Sequence, residues 1–200
     1  MTGPDVSRET DARLQLYAAE IRRWNRAINL VAPSTLADLG NRHIADSLQL
    51  VPLIPETGVL VDLGSGAGLP GLVLAIARPE LNVHLVESVG KKATFLRRVS
   101  SQLSLPNVEV HHDRIENVVE HVGAVDCVSA RALASLDRLL AYAEPMLNAS
   151  TICIFPKGAS HWDEIAEARK GWTFYVDNVP STTDPDAAIL RVAGISRKVA

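Results

Sequence analysis

The chain of 200 residues holds only two cysteines, Cys127 and Cys153, and aromatic residues make up 4% of it. The cysteines fall in separate predicted strands without metal-ligand spacing. That argues against a disulfide scaffold and a zinc site, and for two reduced, buried thiols in a cytoplasmic protein with no metal. No apolar run approaches the roughly 18 residues of a membrane span, and the stretch from Met1 to Asp11 is too polar for a signal peptide. Positive charge is also short: 20 Lys and Arg stand against 23 Asp and Glu, a net charge of −3. Binding of nucleic acid by bulk charge is thereby excluded, and such a substrate would need a local basic face. Internal repeats, linkers and low-complexity tracts are missing too. What remains is an ordinary globular composition, 47% hydrophobic and 22% charged, of a size that suits one α/β domain with a modest extension.

One stretch organises the rest, Val59-Leu60-Val61-Asp62-Leu63-Gly64-Ser65-Gly66-Ala67-Gly68-Leu69-Pro70-Gly71. An apolar strand meets four glycines in eight residues, and an Ala-rich helix pattern follows. Glycines allow a tight turn and close approach to a ligand, and the helix start leaves N–H groups to face it. This is the nucleotide-binding corner of a doubly wound sheet. Gly66 to Gly71 fits the dinucleotide fingerprint, but Asp62 would repel a pyrophosphate. An acid there suits a ligand with cationic groups, such as the amino group or sulfonium of S-adenosylmethionine. The acidic-x-Gly-x-Gly-x-Gly form resembles motif I of class I methyltransferases.

Residues 1 to about 10 read as a polar tail. From Asp11 a helix is supported by Leu14, Tyr17, Ile21, Trp24, Ile28 and Val31 at spacings of three and four, with Asn25 to Pro33 closing it. Its other face carries Arg22, Arg23 and Arg26, either a solvated face or an RNA-facing patch. Ser34 is an expected N-cap for a second helix, and a third is expected over about 41–53. There His43 and Asp46 lie three apart and can be neighbours. From residue 58 strands are expected at about 59–63, 82–87, 108–112, 125–129, 151–155, 172–178 and 187–193. Helices are expected between the first six, at about 70–78, 91–104, 115–122, 135–147 and 160–170. The expected fold is therefore α/β: a Rossmann-like, seven-stranded, mostly parallel sheet of the class I methyltransferase kind. It ends in a C-terminal antiparallel hairpin, because the 180–186 connection is too short for a crossover helix. The expected division is residues 1–57 as an N-terminal helical extension and 58–200 as the cofactor-binding unit.

Ligands in such a sheet sit beyond the carboxyl ends of the strands, at the switch point. Glu87 ends the second strand about twenty residues past the glycines, where a carboxylate accepts from ribose hydroxyls; NAD would be served equally well. After the third strand, Ile115-Glu116 stands where an adenine edge would lie, although Glu116 also suits the helix dipole. After the fourth, Ser129 to Leu136 lacks the Asn/Asp-Pro-Pro-aromatic motif of DNA amino-methyltransferases and any nucleophilic cysteine. Arg131 occupies the rim, within reach of the cofactor and of a phosphate or guanine edge.

Four segments in order resemble the small-subunit ribosomal RNA guanine-N7 methyltransferase family, RsmG, formerly glucose-inhibited division protein B. They are residues Trp24 to Leu30, Arg42 to Leu48, Asp62 to Gly71 and Ser129 to Leu136, with Lys157-Gly158 and Arg197-Lys198 also matching. The resemblance implies S-adenosylmethionine as cofactor, held around Asp62, Gly64, Gly66, Gly68, Leu69, Glu87, Ile115, Glu116 and Arg131. It implies a small-subunit ribosomal RNA partner, naked or in a ribosomal particle, and a monomer that engages no membrane. Arg131, Asn29, His43 and Asp46 are the expected catalytic group, and Arg22, Arg23, Arg26, Lys157, Arg197 and Lys198 the expected RNA contacts. Val31 stands where relatives commonly have Thr, which removes a hydroxyl role there. Guanine N7 carries a lone pair and no proton, so its methylation needs no general base, only proximity and alignment. The competing readings are a class I methyltransferase acting on a small molecule, an NAD-dependent oxidoreductase and a cofactor-binding module without catalysis. The oxidoreductase lacks a recognisable hydride-transfer pair.

Overall fold

A computed structural model describes residues 6–198, leaving aside the side chains of residues 119 and 120. Seven strands form one sheet in the order β3-β2-β1-β4-β5-β7-β6. They are β1 (Gly58–Leu63), β2 (Leu81–Val86), β3 (Val108–His111), β4 (Cys127–Ala130), β5 (Ile152–Lys157), β6 (Trp172–Pro180) and β7 (Ala188–Arg197). β1 to β5 pair parallel, and β7 enters antiparallel between β5 and β6. The sheet reverses its order between β1 and β4, so the crevice at their carboxyl ends is the switch point of this fold.

Two apolar layers cover the sheet. One face packs against α1 (Arg8–Trp24), α3 (Gly71–Ala77) and α4 (Gly90–Gln102), with Tyr17, Ile21, Leu72 and Phe95 fully buried against Leu60 and Leu85. The other packs against α5 (Ile115–Val122), α6 (Leu136–Ala143) and α7 (His161–Gly171), with Leu136, Leu140 and Ala168 against Val61, Val128 and Phe155. Residues before β1 share the first of these cores: Leu30, Val31, Leu39, Ile44, Leu48 and Leu50 are all buried in it. Cys127 and Cys153 are buried, free thiols on adjacent strands. Among the described residues no helix is long and apolar enough to cross a membrane.

The departures from expectation lie mostly before β1. Part of the expected polar tail, residues 1–5, lies outside the described residues; the rest is not tail. Ser7 caps α1 by accepting from Thr10 N at 3.1 Å, with Glu9 and Asp11 favouring the positive end of the helix dipole. The apolar spacing continues past Trp24, but Asn25 ends the helix by accepting from the N–H groups of Leu30 and Val31 at 2.9 and 3.0 Å. Ser34 caps nothing; Pro33–Thr35 is a single 3-10 turn. The helix expected over 41–53 is a π-helical segment, Gly40–Ala45, running into the short α2 (Asp46–Leu48), and a 3-10 turn at Val51–Leu53. Pro52 lacks the N–H that a continuing helix would need.

Candidate active site

At the carboxyl end of β1 the turn is held by backbone and by two carboxylates. Gly64, Gly66 and Gly68 take φ values of +65°, +57° and +90°, the region that favours glycine. Only one of the three leaves room for a ligand. A Cβ on Gly64 would lie 2.7 Å from Leu133, and one on Gly68 would lie 2.5 Å from Leu72. One on Gly66 would meet nothing closer than the Gly64 carbonyl at 3.8 Å. Gly66 therefore lines an open cradle, while Gly64 and Gly68 are glycines for turn geometry and packing. Glu87 closes the cradle, accepting from Gly66 N at 2.8 Å and Val89 N at 2.7 Å. Tyr17, fully buried on α1, donates to the Ala67 carbonyl at 2.6 Å and pins the turn from outside.

Asp62 corrects the sequence reading. Its carboxylate turns inward, 1% exposed, accepting from Ser129 Oγ at 2.8 Å and Gly71 N at 3.3 Å. It ties β1 to β4 and occupies the N–H at the start of α3, so neither Asp62 nor that N–H faces a ligand. Burial raises its pKa from 3.8 to about 6 against the pull of those donors. Leu69 is buried as well, leaving only its backbone for a contact. Ile115 and Glu116 open α5, half-buried and exposed respectively.

The other side of the crevice is built from side chains. Arg131 follows β4 and is succeeded by Ala132 in a left-handed conformation, φ +52°, a strained position for a residue with a Cβ. Arg131 Nη1 donates to Asp46 Oδ2 at 3.1 Å and Nη2 to His43 Nδ1 at 3.0 Å. Because Arg only donates, His43 Nδ1 is the acceptor and its Nε2–H donates to Thr35 Oγ1 at 2.8 Å. Burial and then Arg131 lower the His43 pKa to about 4, so the ring is neutral near pH 7 and is not a base in waiting. Asp46 Oδ1 accepts from Thr183 Oγ1 at 2.7 Å and Gln49 Nε2 at 2.8 Å. Gln49 also bonds Thr182 N at 2.8 Å, tying the β6–β7 connection to the segment before β1. This network borders a cavity of about 490 Å³.

The structure thus brings together three of the four expected catalytic residues. Asn29 is exposed on the loop after α1, outside the cavity lining. The expected RNA patch does not hold as one surface. The Lys157 side chain is 8% exposed, its ammonium paired with Glu164 and the Ala134 carbonyl, both at 2.7 Å. Arg197 and Lys198 lie at the far end of β7, nine residues from Ala188, which pairs with Lys157; at about 3.3 Å per residue that is about 30 Å away. There Arg197 binds Glu144 and covers Trp172, and Lys198 donates to the Arg169 carbonyl. Arg22, Arg23 and Arg26 are exposed, Arg23 pairing with Glu20. The sequence reading missed Thr35, Arg42, Gln49, Thr183 and Asp184 as cavity residues; apart from Arg42, adjacent to His43, none carries a local signal.

Among the described residues one cluster, His84, Glu109 and His111, has metal-ligand composition. Its two rings are nearly coplanar, centroids 5.1 Å apart, with nitrogens at 2.8 Å. The two ring radii and that gap account for the whole centroid separation. The nitrogens therefore face head-on, as in an N–H···N hydrogen bond, rather than converging on a third point.

The family model described as rRNA small subunit methyltransferase G (GidB) matches residues 10–189. The chain belongs to the rRNA small subunit methyltransferase G family. Curated members of that name include one from Rhodospirillum centenum, 54% identical over 96% of this chain and 87% of the relative. One from Methylorubrum populi is 48% identical over 98% and 94%. Solved structures similar in fold include a fibrillarin/Nop5p complex, with TM-score 0.58 and 14% identity over 70% of this chain and 74% of that one. MtNAS in complex with S-adenosylmethionine gives TM-score 0.57 and 19% identity over 92% and 71%. The family match takes in the segments before β1 that supply His43, Asp46 and Gln49 to the cavity.

Proposed function

We propose that this chain transfers the methyl group of S-adenosylmethionine to N7 of a guanine in small-subunit (16S) ribosomal RNA. It does so as a monomer in the cytoplasm, on RNA that is naked or already in a particle. The observation that carries the reading is the family match over residues 10–189, which spans both the glycine turn and the segments that build the cavity. The open cradle at Gly66 fits the cofactor. Glu87 spends two acceptor sites on backbone N–H groups and keeps two for ribose hydroxyls. Gly64, Leu69, Ile115 and Glu116 contribute backbone or edge contacts, and Asp62 acts by holding the turn.

When bound, S-adenosylmethionine supplies an electrophilic methyl carbon. Guanine N7 brings its own lone pair, so the protein has no proton to remove. That agrees with a His43 already committed to Arg131 and with an Asp46 carboxylate engaged by Arg131, Thr183 and Gln49. Arg131, fixed between His43 and Asp46, aligns an anionic group at the junction of cradle and cavity. Approach and alignment then account for the chemistry, and the base must leave its stack to enter.

Mass mapping of methylation on small-subunit RNA from cells with and without the protein tests the reading directly. One guanine that carries a methyl group only when the protein is present is the expected result. S-adenosylmethionine should raise the melting temperature and NAD should not; the reverse would restore the oxidoreductase alternative that Glu87 alone leaves open.

A further inference from the structure

Three carboxylates line the cavity, and two are committed. Asp46 serves Arg131, Thr183 and Gln49. Glu164 serves Lys157 and Leu136 N. Asp184 differs in pairing with no cation among the described residues, whereas Asp46 pairs with Arg131 and Glu164 with Lys157. Its Oδ1 accepts from Asp186 N at 3.1 Å and its Oδ2 has no donor there. Ala132, Ala134, Pro156 and Ala187 add small or apolar wall beside the polar lining of Arg42, His43, Gln49 and Arg131. The volume, about 490 Å³, falls in the range of small-ligand sites, about 300–1,000 Å³.

We propose that Asp184 reads the Watson–Crick edge of the flipped guanine in this cavity, and so selects the base. The proposal rests on the function given above and names the contact that makes it guanine-specific. Guanine presents two adjacent donors on that edge, N1–H and the N2 amine, which match the two oxygens of a carboxylate. Adenine and cytosine each offer one donor beside an acceptor, and uracil one donor between two acceptors. A carboxylate facing any of these three would meet a lone pair. N7 lies on the neighbouring Hoogsteen edge, roughly at right angles to the Watson–Crick edge, so a contact from Asp184 leaves its lone pair free to react.

Asp184 is held for this task. Its own carbonyl accepts from Ala187 N at 3.1 Å, and Ser181 N donates to the Ala187 carbonyl at 3.1 Å, closing the connection on itself. Gln49 anchors it to the rest of the cavity through Thr182 N. A fixed carboxylate loses little entropy on binding and discriminates sharply against a base that leaves it unpaired.

The test uses a synthetic RNA fragment carrying the modified guanine and the same fragment with inosine there. Inosine keeps N7 and N1–H and lacks the N2 amine. The wild-type protein should methylate the guanine fragment with a kcat/KM at least tenfold above the inosine fragment. Asp184→Asn and Asp184→Ala should lower the guanine rate tenfold or more and bring the two fragments to within about twofold of each other. Their stabilisation by S-adenosylmethionine should match wild type, which shows that they fold. A wild-type protein indifferent to inosine overturns the proposal, and so does a variant that keeps the wild-type ratio, whatever its absolute rate. Failure of the underlying function looks different: the wild-type protein then transfers no methyl group to either fragment, and this proposal falls with it.

Discussion

The two sides of the crevice are built on different plans. The donor side is a contiguous turn, Asp62 to Gly71, joined by Glu87 from the end of β2, and both carboxylates accept from its backbone N–H groups or their neighbours. The acceptor side is assembled from Thr35, His43, Asp46, Gln49, Arg131 and Thr183, residues up to 148 positions apart that meet only through side chains. A backbone cradle suits a cofactor common to many enzymes. A side-chain cavity suits the choice of a particular substrate.

The largest effects should come from the single groups on which each side depends. Gly66→Ala puts a Cβ into the cradle at a φ of +57°. It should abolish stabilisation by S-adenosylmethionine and methyl transfer together. Arg131→Ala should lower transfer more than tenfold, above about 1.4 kcal/mol in the transition state. Arg131→Lys should recover little, because an ammonium cannot bridge His43 and Asp46 as a planar fork does. Single-turnover rates and melting shifts for each variant separate the two sides. A Gly66→Ala protein that still gains stability from the cofactor would break the distinction.

A smaller effect tests two ionisable groups, buried Asp62 and half-buried His43, which respond to acid in opposite directions. Asp62 titrates at about 6 in the folded protein against 3.8 normally. The folded state therefore takes up the proton first, and stability rises as pH falls from 6 toward 3.8. His43 titrates at about 4 against 6.5; there the unfolded chain takes up the proton first, and stability falls as pH drops from 6.5 toward 4. Each slope is at most about 1.4 kcal/mol per pH unit. Relative to wild type, Asp62→Asn should steepen the loss of melting temperature between pH 6 and 4, and His43→Gln should lessen it. Parallel curves for all three proteins would show that the two groups titrate as they do in solution.

The smallest effect is an expected near-absence. Arg197 and Lys198, engaged at the far end of β7, should be replaceable by Ala with RNA affinity unchanged within about twofold. Arg42→Ala at the cavity edge should instead flatten the salt dependence by about one counterion. A lower slope for the Arg197 and Lys198 variants would mean that RNA wraps to the opposite end of the sheet.

The same contrast explains what the sequence revealed. The donor side was legible because glycine spacing and strand hydrophobicity are local properties, and the seven strands followed from alternation and connection length. Even there, Asp62 was read as facing outward because its partners, Ser129 and Gly71, are brought to it only by the sheet and the turn. Lys157 looked like a free cation because Glu164 meets it only when α7 folds back over β5. Thr183 and Asp184 sit in a short connection whose composition promises nothing beyond a turn. Their importance comes from where β7 carries them.

That placement of β7 has a consequence for the order in which the sheet forms. β7 follows β6 in sequence yet slots between β5 and β6, with Leu190 and Val192 entirely sealed from water. Until Ala188–Arg197 has left the ribosome, β6 has no neighbour and β5 presents a bare edge, an open template for mispairing. The glycine turn, by contrast, needs nothing beyond β4. A nascent chain released early would keep a cradle for its cofactor and have no chamber in which to use it.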